Sequence, residues 1–231
     1  MTSPQPIVLI TQRAIAGAGG VAHDALDRRW YAFAARWGIR LAPLANDVGA
    51  LDAVVRCPQA AGLILSGGGD LSATPGGREV DDTREQVERS AVSDARAHGR
   101  PILGVCRGAQ FLWTQSGGQL TRVDGHRNTA HVITPTELGH RRGLSEHRVN
   151  SFHEFGLAGN GHGHFGVLMS TRDPGGTPET FAGIARPEWG VMWHPERPGN
   201  DEAADHFVEH TFIDAVRRHR RPEDEATTCT R

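Results

Sequence analysis

The chain places a cysteine between two glycines where an apolar segment turns into a helix, and this arrangement constrains its fold most. Residues 101–105 (PILGV) are predicted to form a short buried strand, and residues 109–115 the helix that follows. Gly104 and Gly108 permit a tight turn and close helix packing. Cys106 then lies at a helix N-terminus, which favours its thiolate. The motif GVCRGAQ predicts a nucleophile elbow, with a small buried core cysteine as the alternative.

A second motif, WGVMWHPE at residues 189–196, offers partners for such a cysteine. Residues two apart in an extended segment share a face, so His194 and Glu196 are expected to lie side by side. His194 would take the thiol proton, and Glu196 would orient the imidazole and stabilise its charged form. One histidine after a strand is more often structural, but its combination with the elbow favours catalysis.

Strand and helix signals alternate through the first half of the chain. Apolar runs predict strands at residues 7–11, 39–43, 61–65 and 101–106, and apolar stripes or charge patterns predict helices at residues 22–37, 51–56 and 81–98. We interpret the last of these as a charged surface helix. This order predicts an α/β fold with a doubly wound, mostly parallel sheet, helices on both faces and function at the carboxyl ends of the strands.

After Leu120 the segments become shorter, which predicts β-rich excursions on the same sheet, and residues 201–219 predict a closing helix. Residues 1–219 are therefore expected to form one catalytic domain. The polar residues 220–231 lack periodicity and predict a disordered tail.

Composition argues against several function classes. Twenty-five basic and 27 acidic residues give no net drive toward nucleic acid or membrane, and no apolar run is long enough to span a bilayer. Three cysteines without CxxC spacing predict reduced thiols and a cytoplasmic protein. The tract HGH at residues 162–164 lacks the ligand spacing of a zinc site. We therefore expect no metal and no cofactor.

With both motifs in view, the chain resembles the class I glutamine amidotransferase superfamily, and within it the γ-glutamyl-γ-aminobutyrate hydrolase-like branch of the C26 peptidases. The likeness extends to SGGGDL (residues 66–71), GGQL (117–120) and VNSFH (149–153). It implies a class I glutamine amidotransferase-like, flavodoxin-like fold in which Cys106 is the nucleophile, His194 the base and Glu196 the orienting acid. The backbone N–H groups implied for an oxyanion hole belong to the loop of Gly68 and Gly69 and to Arg107. The glycines alone would also suit a plain turn.

The same resemblance implies a site for the glutamyl half of a substrate. Gln110, Asn150 and Ser151 would hold its α-amino and α-carboxylate groups. The other residues expected at the mouth of the site are Phe152, His153 and His131. A partly exposed loop histidine is the alternative for His131 and His153. Glu154 and Phe155 stand where many relatives have a polar His-Gln pair, so the leaving-group pocket is open to interpretation.

Longer shared words, such as HRNTAHVI and NSFHEFGL, resemble hydrolases that act on γ-glutamyl-CDP-amidate and release glutamate and cytidine diphosphoramidate. This implies a small-molecule γ-glutamyl substrate. Four arginines expected near the mouth suit phosphate oxygens, with a solvated surface as the alternative: Arg127, Arg141, Arg142 and Arg148. A glutaminase subunit serving a synthase, a γ-glutamyl-γ-aminobutyrate hydrolase and a non-catalytic binding module are the competing functions. A homodimer stays open.

Overall fold

A computed structural model describes residues 4–50, 57–159, 161–172 and 176–219 of the chain. Its strands are β1 (Ile7–Thr11), β2 (Arg13–Ala16), β3 (Ala22–Ala25), β4 (Arg40–Leu44), β5 (Ala60–Leu65), β6 (Ile102–Val105), β7 (Leu120–Arg122), β8 (Arg127–Pro135), β9 (His147–Phe152), β10 (Phe155–Leu157), β11 (Gly161–His162), β12 (Phe165–Thr171), β13 (Pro178–Gly183) and β14 (Glu188–Val191). Its α-helices are α1 (Arg29–Trp37), α2 (Asp82–Ala97), α3 (Arg107–Gln115), α4 (Glu137–Arg141), α5 (Glu202–Val208) and α6 (Asp214–His219).

Ten of these strands form one mixed sheet, in the order β4-β1-β5-β6-β14-β13-β12-β8-β9, with β11 paired to β12. The strands from β4 to β14 run parallel, and the remaining pairs run antiparallel. All six residues of β5 are buried, because a central parallel strand is covered on both faces. The predicted α/β fold and the β-rich excursions on the same sheet are confirmed.

The sheet lies between two apolar layers. Helices α1, α5 and α6 pack on one face, around Trp30, Trp193 and Phe212. Helices α2 and α3 pack on the other face, around Val87 and Phe111. Among the described residues, no helix combines the length and apolar character needed to cross a membrane.

The predicted boundaries hold for α2 and for the closing helix. Asp81 caps α2 by accepting a hydrogen bond from the backbone N–H of Arg84, and Asp201 caps α5 in the same way through Ala204. A π-helical turn (Glu209–Ile213) joins α5 to α6, so the segment stays helical to His219. The helix predicted at residues 51–56 and the tail at residues 220–231 lie outside the described residues.

The helix predicted at residues 22–37 is wrong in its first half. Ala22–Ala25 form β3, which pairs antiparallel with β2, and the helix begins only at Arg29. Asp27 accepts a hydrogen bond from the backbone N–H of Arg29 at 3.0 Å, which supports that start. Strand pairing with a segment upstream therefore overrides the local helical pattern.

Candidate active site

The predicted elbow is present at the end of β6. Cys106 lies between β6 and α3 with φ 52° and ψ −106°, a conformation that costs a non-glycine residue energy. A Cβ atom on Gly108 would lie 2.1 Å from the carbonyl oxygen of Leu65, and one on Gly104 would lie 2.6 Å from that of Gly108. Both glycines are therefore required for α3 to pack against the strands and hold the cysteine at this edge of the sheet.

His194 and Glu196 are in contact, but not for the reason expected from the sequence. The Nδ1 atom of His194 lies 2.7 Å from Oε1 of Glu196. Strand β14 ends at Val191, so a turn, and not strand alternation, brings the two side chains together. The Cys106 hydrogen bond must then involve the other ring nitrogen, Nε2.

Asn150 holds the backbone of His194 from both sides. Its Oδ1 accepts a hydrogen bond from the N–H of His194 at 2.9 Å, and its Nδ2 donates to the carbonyl oxygen of His194 at 2.9 Å. Because both amide atoms are occupied, Asn150 positions the imidazole opposite Cys106.

The electrostatics of His194 favour its protonated form. Burial alone would lower its pKa, but hydrogen bonds with Cys106 and Glu196 outweigh burial and raise the pKa to about 9. The ring is 3% exposed, so the surrounding water does little to screen these interactions. A proton on His194 at neutral pH stabilises a thiolate at Cys106 and is available for a leaving group.

We expect the imidazole of His194 to titrate near pH 9 in an NMR titration, and Glu196→Gln to lower that midpoint. The glutamine keeps the shape of Glu196 but removes the negative charge. Since the folded pKa exceeds the usual 6.5, the stability that His194 contributes is fully present below pH 6.5 and is lost as the pH rises through 9. An unchanged midpoint in Glu196→Gln would show that the carboxylate does not act on the ring.

Arg84 of α2 binds three consecutive carbonyl groups of the glycine loop. Its guanidinium donates to the backbone oxygens of Ser66 at 2.8 Å, Gly67 at 3.3 Å and Gly68 at 2.6 Å. In a trans peptide, the N–H points away from the preceding carbonyl, so the N–H groups of residues 67–69 point away from Arg84. On that side lies the catalytic pair, since a Cβ atom on Gly67 would lie 2.7 Å from His194.

A buried ion cluster connects this loop to the elbow. Glu88, which is fully buried, accepts hydrogen bonds from Arg84 at 2.9 Å and from Arg107 at 2.6 Å. Burial alone would raise the pKa of Glu88, but Arg107 and Arg84 outweigh it and lower the pKa. Thr11 adds a third hydrogen bond to Glu88 and accepts one from the N–H of Ser66. The sequence interpretation of α2 as a surface helix is therefore wrong for this face.

The elbow, the glycine loop and His194 open into one cavity of about 730 Å³. Eight residues predicted for the site line this cavity: Cys106, His194, Gly68, Gly69, Arg107, Gln110, Phe152 and His153. Gln110 donates through Nε2 to the carbonyl oxygen of Phe155 at 2.7 Å, which fixes its side chain in the wall. Its Oε1 accepts no hydrogen bond from the described residues and can accept one from a ligand.

Three residues expected at the substrate do not line the cavity. The side chain of Asn150 is occupied by His194, and Ser151 is fully buried and donates to the carbonyl oxygen of His126 at 2.5 Å. His131 lies behind the wall, 3.6 Å from Glu179. The resemblance implied substrate contacts for these side chains, but the interior hydrogen bonds and the packing of β8 and β9 use them elsewhere.

Arginines are concentrated around the cavity, although most are not those expected. Arg127 lines it, whereas Arg141 pairs with Glu137 on the surface and Arg142 and Arg148 are also exposed away from it. The lining arginines that the sequence did not indicate are Arg13, Arg78, Arg122 and Arg197. These five face three lining carboxylates, Asp70, Glu79 and Glu154, while the charge of Arg107 is matched by the buried Glu88. The rim therefore has an excess of positive charge.

Comparison with known proteins agrees with this site. A GMP synthase [glutamine-hydrolyzing] from Leifsonia xyli is 31% identical over 160 residues, which are 65% of this chain and 28% of that protein. A gamma-glutamyl-CDP-amidate hydrolase from Campylobacter jejuni is 27% identical over 136 residues, 58% of this chain and 62% of that protein. The chain thus spans less than two thirds of the length of either relative.

The fold also matches solved structures. The crystal structure of a GMP synthase component from Thermoplasma acidophilum superposes with a TM-score of 0.67 at 20% identity, over 96% of this chain and 100% of that chain. The model of the Peptidase C26 family matches residues 20–196, which include the elbow, the glycine loop and the HPE motif. The chain therefore belongs to the peptidase C26 family.

Proposed function

We propose that this protein hydrolyses a γ-glutamyl amide through a γ-glutamyl thioester on Cys106. The observation that carries the proposal is the meeting, in one cavity, of a cysteine held at a strained elbow and a His194–Glu196 pair in contact at 2.7 Å. A nucleophile, a base and an orienting acid in this arrangement suit acyl transfer. Relatives that include a glutamine-hydrolysing synthase and a γ-glutamyl hydrolase support the same chemistry.

In the first half of the reaction, the thiolate of Cys106 attacks the γ-carbonyl carbon of the substrate. Negative charge develops on the carbonyl oxygen, and the N–H groups of Gly68, Gly69 and Arg107 are the donors that would stabilise it. When the C–N bond breaks, the proton on Nε2 of His194 goes to the departing nitrogen. The products of this step are the free amine and the thioester.

In the second half, water replaces the amine. Neutral His194 takes a proton from the water molecule, whose oxygen attacks the thioester carbon. The C–S bond then breaks, which returns the thiolate to Cys106 and releases glutamate. Glu196 stabilises the imidazolium that forms in this step, because its carboxylate contacts Nδ1.

The cavity also suits the two halves of the substrate. Oε1 of Gln110 can accept a hydrogen bond from an α-ammonium group close to Cys106. The excess of arginine around the rim favours an anionic leaving half, since guanidinium groups bind phosphate oxygens well. We infer γ-glutamyl-CDP-amidate as the substrate and cytidine diphosphoramidate as the leaving product, in keeping with the Campylobacter relative.

The test is release of glutamate from γ-glutamyl-CDP-amidate, glutamine and γ-glutamyl-γ-aminobutyrate, each at the same concentration. We expect the nucleotide substrate to have the highest kcat/KM, and Arg78→Gln to lower that value about tenfold, the usual effect of losing one charged hydrogen bond. Arg141→Gln, which changes an arginine outside the cavity, is the matched control and should have no effect. A preference for either of the other substrates would contradict the nucleotide assignment alone.

A glutaminase subunit that delivers ammonia to a separate synthase is the second candidate. It is favoured by the 31% identity to a GMP synthase, of which this chain covers only 28%. A protein of this kind should hydrolyse glutamine faster when its synthase and the acceptor are added. A stand-alone hydrolase should show the same rate with and without them.

A further inference from the structure

Three histidines and one glutamate meet inside the fold, behind the wall of the cavity. His131 lies in β8 and Glu179 in β13, while His126 precedes β8 and His153 follows β9. Glu179 is completely buried, and His126 and His153 are 5% and 4% exposed. This His3Glu cluster, as we call these four residues, is separate from Cys106, His194 and Glu196, and the proposed reaction does not use it.

The ligand atoms of the His3Glu cluster are closely and evenly spaced. Nδ1 of His126 lies 3.2 Å from Oε1 of Glu179 and 3.4 Å from Nε2 of His153. Nε2 of His153 lies 3.4 Å from the same Oε1, which closes a triangle of nearly equal sides. His131 approaches the other carboxylate oxygen at 3.6 Å. One ligand atom from each of His126, His131 and Glu179 lies within 4.8 Å of the others.

The hydrogen bonds leave the carboxylate of Glu179 unsatisfied. Although the imidazoles approach it, neither oxygen accepts a hydrogen bond of normal geometry from the described residues, and Nε2 of His131 also has no such partner among them. A buried carboxylate without donors is costly. Nδ1 of His153 lies 3.1 Å from the carbonyl oxygen of Phe155, an acceptor, so it must carry the proton. In the neutral ring, Nε2 then presents a lone pair to the carboxylate.

We propose that the His3Glu cluster binds one divalent transition-metal ion of the zinc class. A cation at its centre resolves the contact between the lone pair of His153 and the carboxylate of Glu179. Tetrahedral zinc with bonds of about 2.0–2.1 Å requires ligand atoms about 3.3–3.4 Å apart, close to the sides of the observed triangle. Imidazole and carboxylate donors suit zinc, cobalt and nickel.

The contact to Phe155 is what a metal-binding histidine needs. Such a histidine usually donates its other ring N–H to a carbonyl or carboxylate, which fixes its tautomer. The same carbonyl oxygen accepts the hydrogen bond of Gln110 at 2.7 Å. The metal therefore holds His153 and Phe155 in the cavity wall. This role goes beyond the proposed function and does not depend on it.

The sequence predicted no metal because the only short histidine spacing, near residues 162–164, does not suit zinc. The cluster draws its ligands from positions spread between residues 126 and 179, on separate strands and their ends. Only the sheet brings β8, β9 and β13 close enough for their side chains to meet. Spacing along the chain therefore contains no signal for this site.

The first experiment needs no variant. Untagged full-length protein is stripped with a chelator, and zinc or cobalt(II) is added back. We expect one equivalent of metal by mass spectrometry, an intense visible absorption from four-coordinate cobalt, and a rise in Tm of roughly 5 °C or more at saturating zinc. Folded protein that binds no metal at micromolar zinc would overturn the proposal, since a proton on an imidazole would then fill the cluster. A cobalt–thiolate band would also overturn it, by placing the metal at Cys106.

Variants locate the site. Glu179→Gln and His126→Gln should each lose the bound equivalent and the cobalt spectrum. The double variant His162→Gln/His164→Gln changes the exposed histidine tract and should retain both. Binding that survives in the first two proteins, or that disappears in the double variant, contradicts the assignment. If Glu179→Gln does not fold, metal add-back to the unmodified chain decides the question, because it measures binding and stability without the substitution.

Discussion

Replacing Cys106 with alanine is expected to abolish turnover, with a loss of about 10⁴-fold or more in kcat, as for other enzymes that lose their nucleophile. Without sulfur there is no thioester, and water would have to attack the amide directly. Alanine fits the same turn, so circular dichroism and Tm should stay near those of the unmodified protein. Cys106→Ser should also be nearly inactive, because a hydroxyl is a much weaker nucleophile than a thiolate.

A brief incubation with substrate should leave a glutamyl adduct on Cys106 that mass spectrometry detects. Cys57→Ser provides the matched control, since Cys57 is a free, partly buried cysteine outside the cavity and its loss should leave the adduct and kcat unchanged. Substantial activity in Cys106→Ala, or an adduct on Cys57, would refute the thioester mechanism. Either result would leave the fold and the family assignment untouched.

The elbow could be predicted because its determinants are adjacent in the chain. An apolar strand, two glycines and a cysteine specify both the turn and what it presents, and the contacts of Gly104 and Gly108 show why no larger residue fits. The central strands were predictable for a similar reason. β5 is buried on both faces and so is apolar throughout. Local patterns succeed where the local environment decides the structure.

The roles of Asn150 and His131 could not be read from the same patterns. Asn150 contacts His194 across 44 positions of the chain, and His131 approaches Glu179 across β12, which separates β8 from β13. A polar residue in a short strand could equally face a substrate or the interior. The resemblance pointed to the substrate, and packing of the sheet placed these side chains inside.

The buried face of α2 shows this limit most clearly. Arg84 and Glu88 are four residues apart, a spacing common to ion pairs on exposed helix surfaces. Their burial depends on Thr11 and Arg107, whose contacts to Glu88 span 77 and 19 positions. Once buried, the pair gains a function that an exposed pair lacks, because Arg84 also holds the carbonyl groups of the glycine loop.

This arrangement makes Arg84→Lys the second change with a large expected effect. Lysine keeps the charge but is a single point donor, so it cannot bind Glu88 and three carbonyl groups at once. The loop is then free to turn its N–H groups away from the developing oxyanion. We expect kcat to fall about 10²- to 10³-fold, as when an oxyanion-hole donor is lost, with KM little changed.

Arg89→Lys is the matched control, because Arg89 lies on the same helix, is largely exposed and pairs only with Glu85 among the described residues. Its kinetic constants and Tm should not change. Assays are run well below the Tm of Arg84→Lys, so that partial unfolding does not mimic a loss of kcat; breaking a buried ion pair can cost about 3–5 kcal/mol. If folded Arg84→Lys keeps kcat within twofold, or if KM rises while kcat holds, then the arginine stabilises the fold without positioning the oxyanion donors. A selective fall in kcat would instead assign to α2 the placement of the N–H groups that complete the site.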